Sequence, residues 1–272
     1  MRTALTIAGS DPSGGAGIQA DIKTFQAHGI FGMSVITAVT VQNTRKVYNV
    51  QELEPEIVAG QILCLFDDIE IHAVKIGMVS SIRLIAVIAD TLKKVDLPYV
   101  ILDPVMISKS GYRLLKEDAC EALVKTLFPV ADVVTPNIHE AEAITGKKIE
   151  SVADMKETAG ELLLLGSKKV VVKGGHLKGK VSVDVAYDGV TYREYQSDRI
   201  ETKNTHGTGC TFSSAIAANM AAGNDFFQSV ANAKEYITGA ILHSLSIGKG
   251  HGPPNHFFNM PFSLQTEATV NL

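Results

Sequence analysis

Short apolar, β-branched runs alternate along the chain with longer stretches whose apolar residues recur every three or four positions. Ala4–Ala8 predicts a strand that ends in a glycine-rich turn. Ile18, Ile22 and Phe25 then stand at helical spacing, so 16–28 predicts a helix with Gly29 as its stop. Ser34–Val41 predicts a strand that is largely apolar on both faces. The alternation continues with helix 55–69 and strand 73–76, helix 81–94 and strand 99–103, helix 117–128 and strand 132–135, and helix 151–165 and strand 169–173. Two further strands, 181–187 and 190–196, read as a hairpin turning at Asp188 and Gly189. Phe212, Ala215, Ile216 and Met220 mark an amphipathic helix that Gly223 ends.

Repeated β-α-β units with continuously apolar strands predict an α/β fold, a mostly parallel central sheet with helices on both faces. Residues 1–248 carry this pattern without a linker or an internal repeat, so one domain is expected there. The stretch 249–272, which opens Lys-Gly-His-Gly-Pro-Pro, leaves the pattern and reads as a C-terminal tail open to fraying. In such a sheet ligands gather beyond the carboxyl ends of the strands. The residues at those exits are Gly9–Asp11, Gln42 and Asn43, Gly77 and Met78, Asp103 and Pro104, Pro136 and Asn137, and Gly174 and Gly175.

Composition narrows the picture only modestly. Of 272 residues, 46 % are apolar and 20 % charged, which is ordinary for a globular protein rather than a disordered one. The formal charge of −4 gives no electrostatic case for nucleic acid or an acidic membrane. No apolar run is long enough to span a bilayer, and the first residues read as a strand rather than a signal peptide. Three widely scattered cysteines, Cys64, Cys120 and Cys210, offer no disulfide framework and no paired-cysteine metal site, so a reducing, cytoplasmic setting is expected.

Several glycine motifs compete for the chemistry. Gly15-Ala-Gly-Ile-Gln-Ala20 matches the dinucleotide fingerprint after a strand. The acid that should bind ribose is missing, since residues 27–51 hold no Asp or Glu. A Walker A loop fails because Gly14 is followed by Gly15 and Ala16, and no serine sits in a G-x-S-x-G elbow. Gly207-Thr-Gly-Cys210 is better placed, at the start of a helix. Backbone N–H groups there lack intrahelical partners, and the helix dipole adds positive charge, so the segment can cradle an oxyanion. The local pattern fits a tight packing turn equally well.

These segments together resemble the ribokinase-like superfamily and, within it, the hydroxymethylpyrimidine/phosphomethylpyrimidine kinases of thiamine biosynthesis. The resemblance rests on Ala8–Asp21, Gln42–Thr44, Lys75–Met78, Asp103–Met106, Thr135–Asn137 with Glu140, Val172–His176 and Thr205–Cys210, in order along nearly the whole chain. Gly252–Phe257 adds to it. It implies a ribokinase-like three-layer α/β/α fold and transfer of the γ-phosphoryl of ATP, with Mg²⁺, to a hydroxymethyl group on a pyrimidine and then to the monophosphate. K⁺ is a second candidate cation, and a homodimer is expected.

The resemblance also assigns roles. Gly207, Thr208, Gly209 and Cys210 form the anion hole. Cys210 stands where most superfamily members carry Asp as general base, and a thiol at a helix N-terminus can have a lowered pKa and take the hydroxyl proton. The second transfer needs no such base, because a phosphate ester is already anionic. Gly9, Asp21, Thr40, Gln42, Met78 and Val105 surround the pyrimidine, whose acceptor–donor edge suits the Gln42 amide. Asn137, Lys173, Thr205 and Lys234 serve ATP; Glu140 and Asp103 serve the metal.

Other readings stay open at this point. Cys210 can simply pack, or act as a covalent nucleophile with His206 as base, and His206 can merely cap or pack. Asp21 can face the site or solvent, and Lys173 and Lys234 can be surface lysines. A pyridoxal or pyridoxine kinase of the same superfamily is the nearest alternative. A non-catalytic pyrimidine-binding regulator is the alternative of a different class.

Overall fold

The computed structural model describes residues 1–108, 111–112, 114–115 and 119–260. Among them, nine strands form one sheet in the order β3-β2-β1-β4-β5-β6-β7-β8-β9. The strands are β1 (Thr3–Ser10), β2 (Phe31–Gln42), β3 (Val47–Glu52), β4 (Ala73–Ile76), β5 (Tyr99–Leu102), β6 (Val133–Val134), β7 (Lys169–Val172), β8 (Val181–Tyr187) and β9 (Tyr192–Asp198). From β2 through β7 all pairings are parallel, while β3 and the β8–β9 hairpin add antiparallel edges. The fold is the α/β arrangement the periodicity predicts. β3 was not foreseen, because its alternate side chains are exposed and leave no apolar run.

The helices are α1 (Gly17–Ala27), α2 (Pro55–Asp68), α3 (Ile82–Leu92), α4 (Ala119–Leu127), α5 (Ile138–Thr145), α6 (Val152–Leu164), α7 (Thr208–Ala221) and α8 (Phe226–Leu242). Residues 117 and 118 of the expected fourth helix lie outside the described residues. One face of the sheet packs Leu5, Ile7, Val74, Ile76, Val100 and Leu102 against α2, α3, α4 and α6. The other packs Ala4, Ala73, Ile101, Val133 and Val171 against α7 and α8, with Phe25 of α1 beside them. Here α7 packs its own alanines, Ala215, Ala217, Ala218 and Ala221, into the core on this side of the sheet. The helix is consequently buried all round from Thr211 to Ala221, not amphipathic as its spacing suggests. Alanine and serine supply little apolar contrast between its faces, so the pattern overstates one side.

The alternation that buries this face also builds the site. Side chains two positions apart on a strand share a face. Ala4 is followed on its face by Thr6, Ala73 by Lys75, Ile101 by Asp103, Val133 by Thr135 and Val171 by Lys173. Apolar residues thus precede polar ones on this face, and Lys75, Asp103, Thr135 and Lys173 stand at or just past the carboxyl ends of their strands.

The chain from Gly250 to His256 does not fray. Gly250 and His251 bond to Thr44, Gly252 accepts from the His206 N–H, and the Asn255 N–H donates to Ala240. His256 is 2 % exposed and meets the Thr211 hydroxyl at 3.0 Å. Its carbonyl accepts from Tyr236. Residues 261–272 of the expected tail lie outside the described residues. No described helix is long and apolar enough to cross a membrane.

Candidate active site

A cavity of about 830 Å³ opens at the carboxyl ends of the strands. Gly9, Thr40, Gln42, Met78 and Val105 line it. So do Asp103, Asn137, Glu140, Lys173, Thr205, Gly207–Cys210 and Lys234. Every site residue expected from the sequence reaches this cavity except Asp21.

Asp21 sits beneath the floor. Its side chain has no exposed surface, and its carboxylate accepts from Thr6, Lys75 and Ser214 at 2.6–3.0 Å. Thr6 and Lys75 are register partners on β1 and β4, and Ser214 lies one turn after Cys210 on α7. The carboxylate is therefore committed to tying two strands to two helices, and contact with a bound molecule is not what this geometry offers. An acid on an otherwise apolar helix stripe left its direction open; the partner that decides it, Lys75, lies 54 residues away.

The glycine turn before α7 packs tightly and still leaves backbone donors open. Gly207 has φ +83°, and a Cβ there would lie 1.8 Å from the Gly15 carbonyl oxygen, so only glycine fits. No described group takes the N–H of Gly209 or Cys210, which leaves two donors at the positive end of a 14-residue helix. In front of them, Lys173 Nζ lies 2.6 Å from Asp103 Oδ1. A Cβ on Gly209 would come 3.4 Å from that same ammonium. Burial alone would lower the Lys173 ammonium, but Asp103 and Glu140 outweigh it and hold it above the usual range.

Cys210 stands at the cavity wall, partly exposed. Burial pushes its thiol up to about 11; Lys75 opposes this, while Asp21 and Asp103 reinforce it. The lowered pKa expected from a helix N-terminus is corrected here, because loss of water around the sulfur outweighs the favourable charges. His206 is not a base for Cys210. Its Nε2 meets Asp11 Oδ2 at 2.8 Å and Nε2 of the Gln42 side-chain amide at 3.1 Å.

Asn137 and Glu140 form a capping box at the start of α5, with bonds of 3.0 and 2.8 Å. The N-x-x-E element that the resemblance gives to ATP and metal is thus also a helix start, which the strand-and-helix reading passed over. Burial raises the Glu140 carboxyl most; Lys173 offsets this and Asp103 adds to it, leaving it at about 7. Lys234 reaches the cavity, but Asp184 Oδ2 lies 2.8 Å from its Nζ, and Ser182 takes a second bond. It is therefore not a surface lysine, and like Lys173 it meets the cavity with a carboxylate already paired to it. Asp11 and Lys75 entered the sequence reading only as ends of longer segments, without a role, and Asp184 did not enter it. Each is recognisable only through a partner distant in the chain.

Residues 11–255 match the family model described as phosphomethylpyrimidine kinase. The hydroxymethylpyrimidine/phosphomethylpyrimidine kinase of Rhizobium meliloti is 50 % identical over 257 residues, which cover 93 % of this chain and 96 % of the relative. The crystal structure of phosphomethylpyrimidine kinase from Clostridium difficile is 51 % identical with a TM-score of 0.80, covering 89 % of this chain and all of that one. An ADP complex of Bacillus subtilis pyridoxal kinase is 40 % identical with a TM-score of 0.88, covering 94 % and 98 %. With that match spanning both the cavity wall and the glycine turn, the chain belongs to the phosphomethylpyrimidine kinase family.

Proposed function

We propose that the protein transfers the γ-phosphoryl of ATP to the hydroxymethyl group of 4-amino-5-hydroxymethyl-2-methylpyrimidine, and then a second phosphoryl to the resulting monophosphate, in thiamine biosynthesis. The observation that carries this reading is the continuity of one cavity from Gln42, Met78 and Val105 to the unpartnered N–H groups of Gly209 and Cys210. A flat heterocycle fits the first end, and a phosphoryl group in flight fits the second.

Phosphoryl transfer asks for in-line placement and for stabilisation of charge spread over three oxygens, with little covalent help. The Gly209 and Cys210 N–H groups donate to those oxygens, and Lys173 supplies a cation beside them. Asp103 holds that ammonium in place. Cys210 accepts the hydroxyl proton only as thiolate, so its contribution belongs to the first transfer and grows with pH. The second transfer starts from an anionic oxygen and bypasses it.

Glu140 is suited to Mg²⁺. Its buried carboxyl lies at the cavity and is raised by burial to about 7, so a cation beside it would favour the ionised form that burial opposes. A hard cation that keeps most of its waters needs only one or two carboxylates plus phosphate oxygens. No described group of three or more acidic, His or Cys side chains is arranged to hold a metal alone. Mg²⁺ would supply charge neutralisation between ATP phosphates there. Asp103, bound to Lys173, is the weaker candidate. The three unpaired cysteines suit a cytoplasmic setting. Exposed Val39, Val41 and Tyr48 on β2 and β3 suit a dimer contact.

The test is a coupled ADP-release assay with the pyrimidine, its monophosphate and pyridoxal, each with Mg²⁺ and with Na⁺ or K⁺. Turnover of both pyrimidines is expected, with pyridoxal slower. Faster turnover of pyridoxal would move the assignment to the activity named for the Bacillus subtilis neighbour. Tight pyrimidine binding without ADP release would indicate a regulator.

A further inference from the structure

His206 takes no part in the chemistry proposed above, yet its ring is closely held. It is 8 % exposed, and its Cδ2 fills the space beside Gly15, where a Cβ would come within 2.5 Å. The His206 N–H donates to the Gly252 carbonyl at 3.0 Å, so the C-terminal segment fixes the backbone behind the ring. Nε2 lies 2.8 Å from Asp11 Oδ2 and 3.1 Å from Nε2 of the Gln42 amide.

Asp11 can only accept. Its Oδ1 takes the N–H and O–H of Ser13, and its Oδ2 takes the Ala16 N–H. Burial alone would raise its carboxyl, but His206 and Ser13 hold it below the usual range, so it is ionised. A bare Nε2 at 2.8 Å would set lone pair against lone pair. Nε2 therefore carries a hydrogen and gives it to Asp11, whether the ring is neutral or charged. A nitrogen that donates cannot accept from an amide NH₂. With its Nε2 turned to the ring, the Gln42 amide would set N–H against N–H; turned over, its carbonyl oxygen shares the His206 Nε2 hydrogen with Asp11 in a three-centre bond, and the hydrogen-bond network selects that orientation.

We infer that Asp11 and His206 lock the rotation of the Gln42 amide and thereby make it select pyrimidines by the donor–acceptor order of their edge. This rests on the pyrimidine reading given above. A 4-aminopyrimidine presents a ring-nitrogen acceptor beside an N–H donor. Its 4-oxo counterpart presents a ring N–H donor beside a carbonyl acceptor. A freely turning amide matches either edge by rotating 180°, whereas a locked one matches a single order. With the 5-hydroxymethyl group held at the anion hole, the ring cannot turn over to compensate. Asp11 and His206 are then positioning residues for specificity.

Two measurements on the full chain test this. The first is a two-bond ¹H–¹⁵N correlation on ¹⁵N-histidine-labelled protein, with His206 assigned by its loss in His206→Leu. Hydrogen on Nε2 is expected, and a bare Nε2 overturns the lock. The second is calorimetric Kd for the 4-amino and 4-oxo hydroxymethylpyrimidines, in wild type and in His206→Leu checked for folding by circular dichroism. Wild type should prefer the amino form by about 100-fold, and the variant by about tenfold less. A wild-type ratio near one, or an unchanged ratio in a folded variant, overturns the proposal. If wild type binds neither pyrimidine, the substrate reading falls and the proposed selection with it. A bare Nε2 alone leaves the kinase reading intact.

Discussion

The ammonium of Lys75 lies 2.8 Å from Oδ2 of Asp21, and neither side chain has any exposed surface. Burial alone would lower the Lys75 pKa, but the Asp21 charge outweighs it and holds the lysine well above its ordinary range. The pair joins β4 to α1 directly, and Ser214 extends the join to α7 one turn beyond Cys210. Removing one member strands a charge in the interior. Lys75→Met or Asp21→Leu should each lower the unfolding free energy by about 3–5 kcal/mol. The double replacement should lose less than the sum of the two. Urea denaturation of the four proteins gives the cycle, and additive losses would show that the pair is not coupled.

How much of this was legible follows from which partners are near in sequence. The strand and helix order was readable because burial repeats every two or every 3.6 residues, and each signal lies within a short window. The carboxyl-end position of the site followed from that order. The Gly207 turn was visible as a glycine cluster before a helix, but not its close packing against the carbonyl of Gly15, which lies 192 residues away. The commitments of Asp21 to Lys75, of His206 to Asp11 and of Lys234 to Asp184 are contacts between distant segments, and no local pattern encodes them. The strap at 250–256 was misread for the same reason. Its glycines and prolines look like fraying until Thr44, Asn204 and His206 are placed against them.

The raised thiol of Cys210 gives the two transfers different pH profiles. With its pKa at about 11, the thiolate fraction rises about tenfold per pH unit through the working range. If the thiolate takes the hydroxyl proton, kcat/KM for hydroxymethylpyrimidine climbs steadily between pH 7 and 9.5 without a plateau. The same plot for the monophosphate lacks that limb. Cys210→Ala should lose about 10²-fold in the first reaction, lose much less in the second, and flatten the profile of the first. Rate profiles for both substrates decide it; equal losses, or a flat wild-type profile, would remove Cys210 from proton transfer.

His256 makes the fold sensitive to acid. Burial, aided by Lys23, lowers its imidazole to about 4 from the usual 6.5. Between these values the unfolded chain binds a proton that the folded one refuses, so stability is full above about pH 6.5 and is lost as pH falls toward 4. The contribution is on the order of 3 kcal/mol. Urea midpoints measured from pH 7 to 4.5 should fall less steeply in His256→Gln than in wild type. Because His256 touches Thr211 in the first turns of α7, the variant should also lose some activity at neutral pH.

Two glycines of the anion turn should fail in different ways when given a methyl group. At Gly207 the φ of +83° and the 1.8 Å approach to the Gly15 carbonyl leave no room, so the loop against the β1–α1 turn must open. Gly207→Ala should therefore lose both stability, by several kcal/mol, and activity. At Gly209 the backbone is helical, and the nearest described atom to an added Cβ is Lys173 Nζ at 3.4 Å, an ordinary contact. The fold can carry that methyl, but it projects into the space that the phosphoryl oxygens and the lysine must share. Gly209→Ala should keep its urea midpoint within about 0.5 kcal/mol of wild type, while both transfers slow by about 10²–10³-fold, the scale of losing one oxyanion donor. Paired denaturation and ADP-release measurements separate the two variants. A fully active Gly209→Ala would mean that the travelling phosphate does not pass the start of α7.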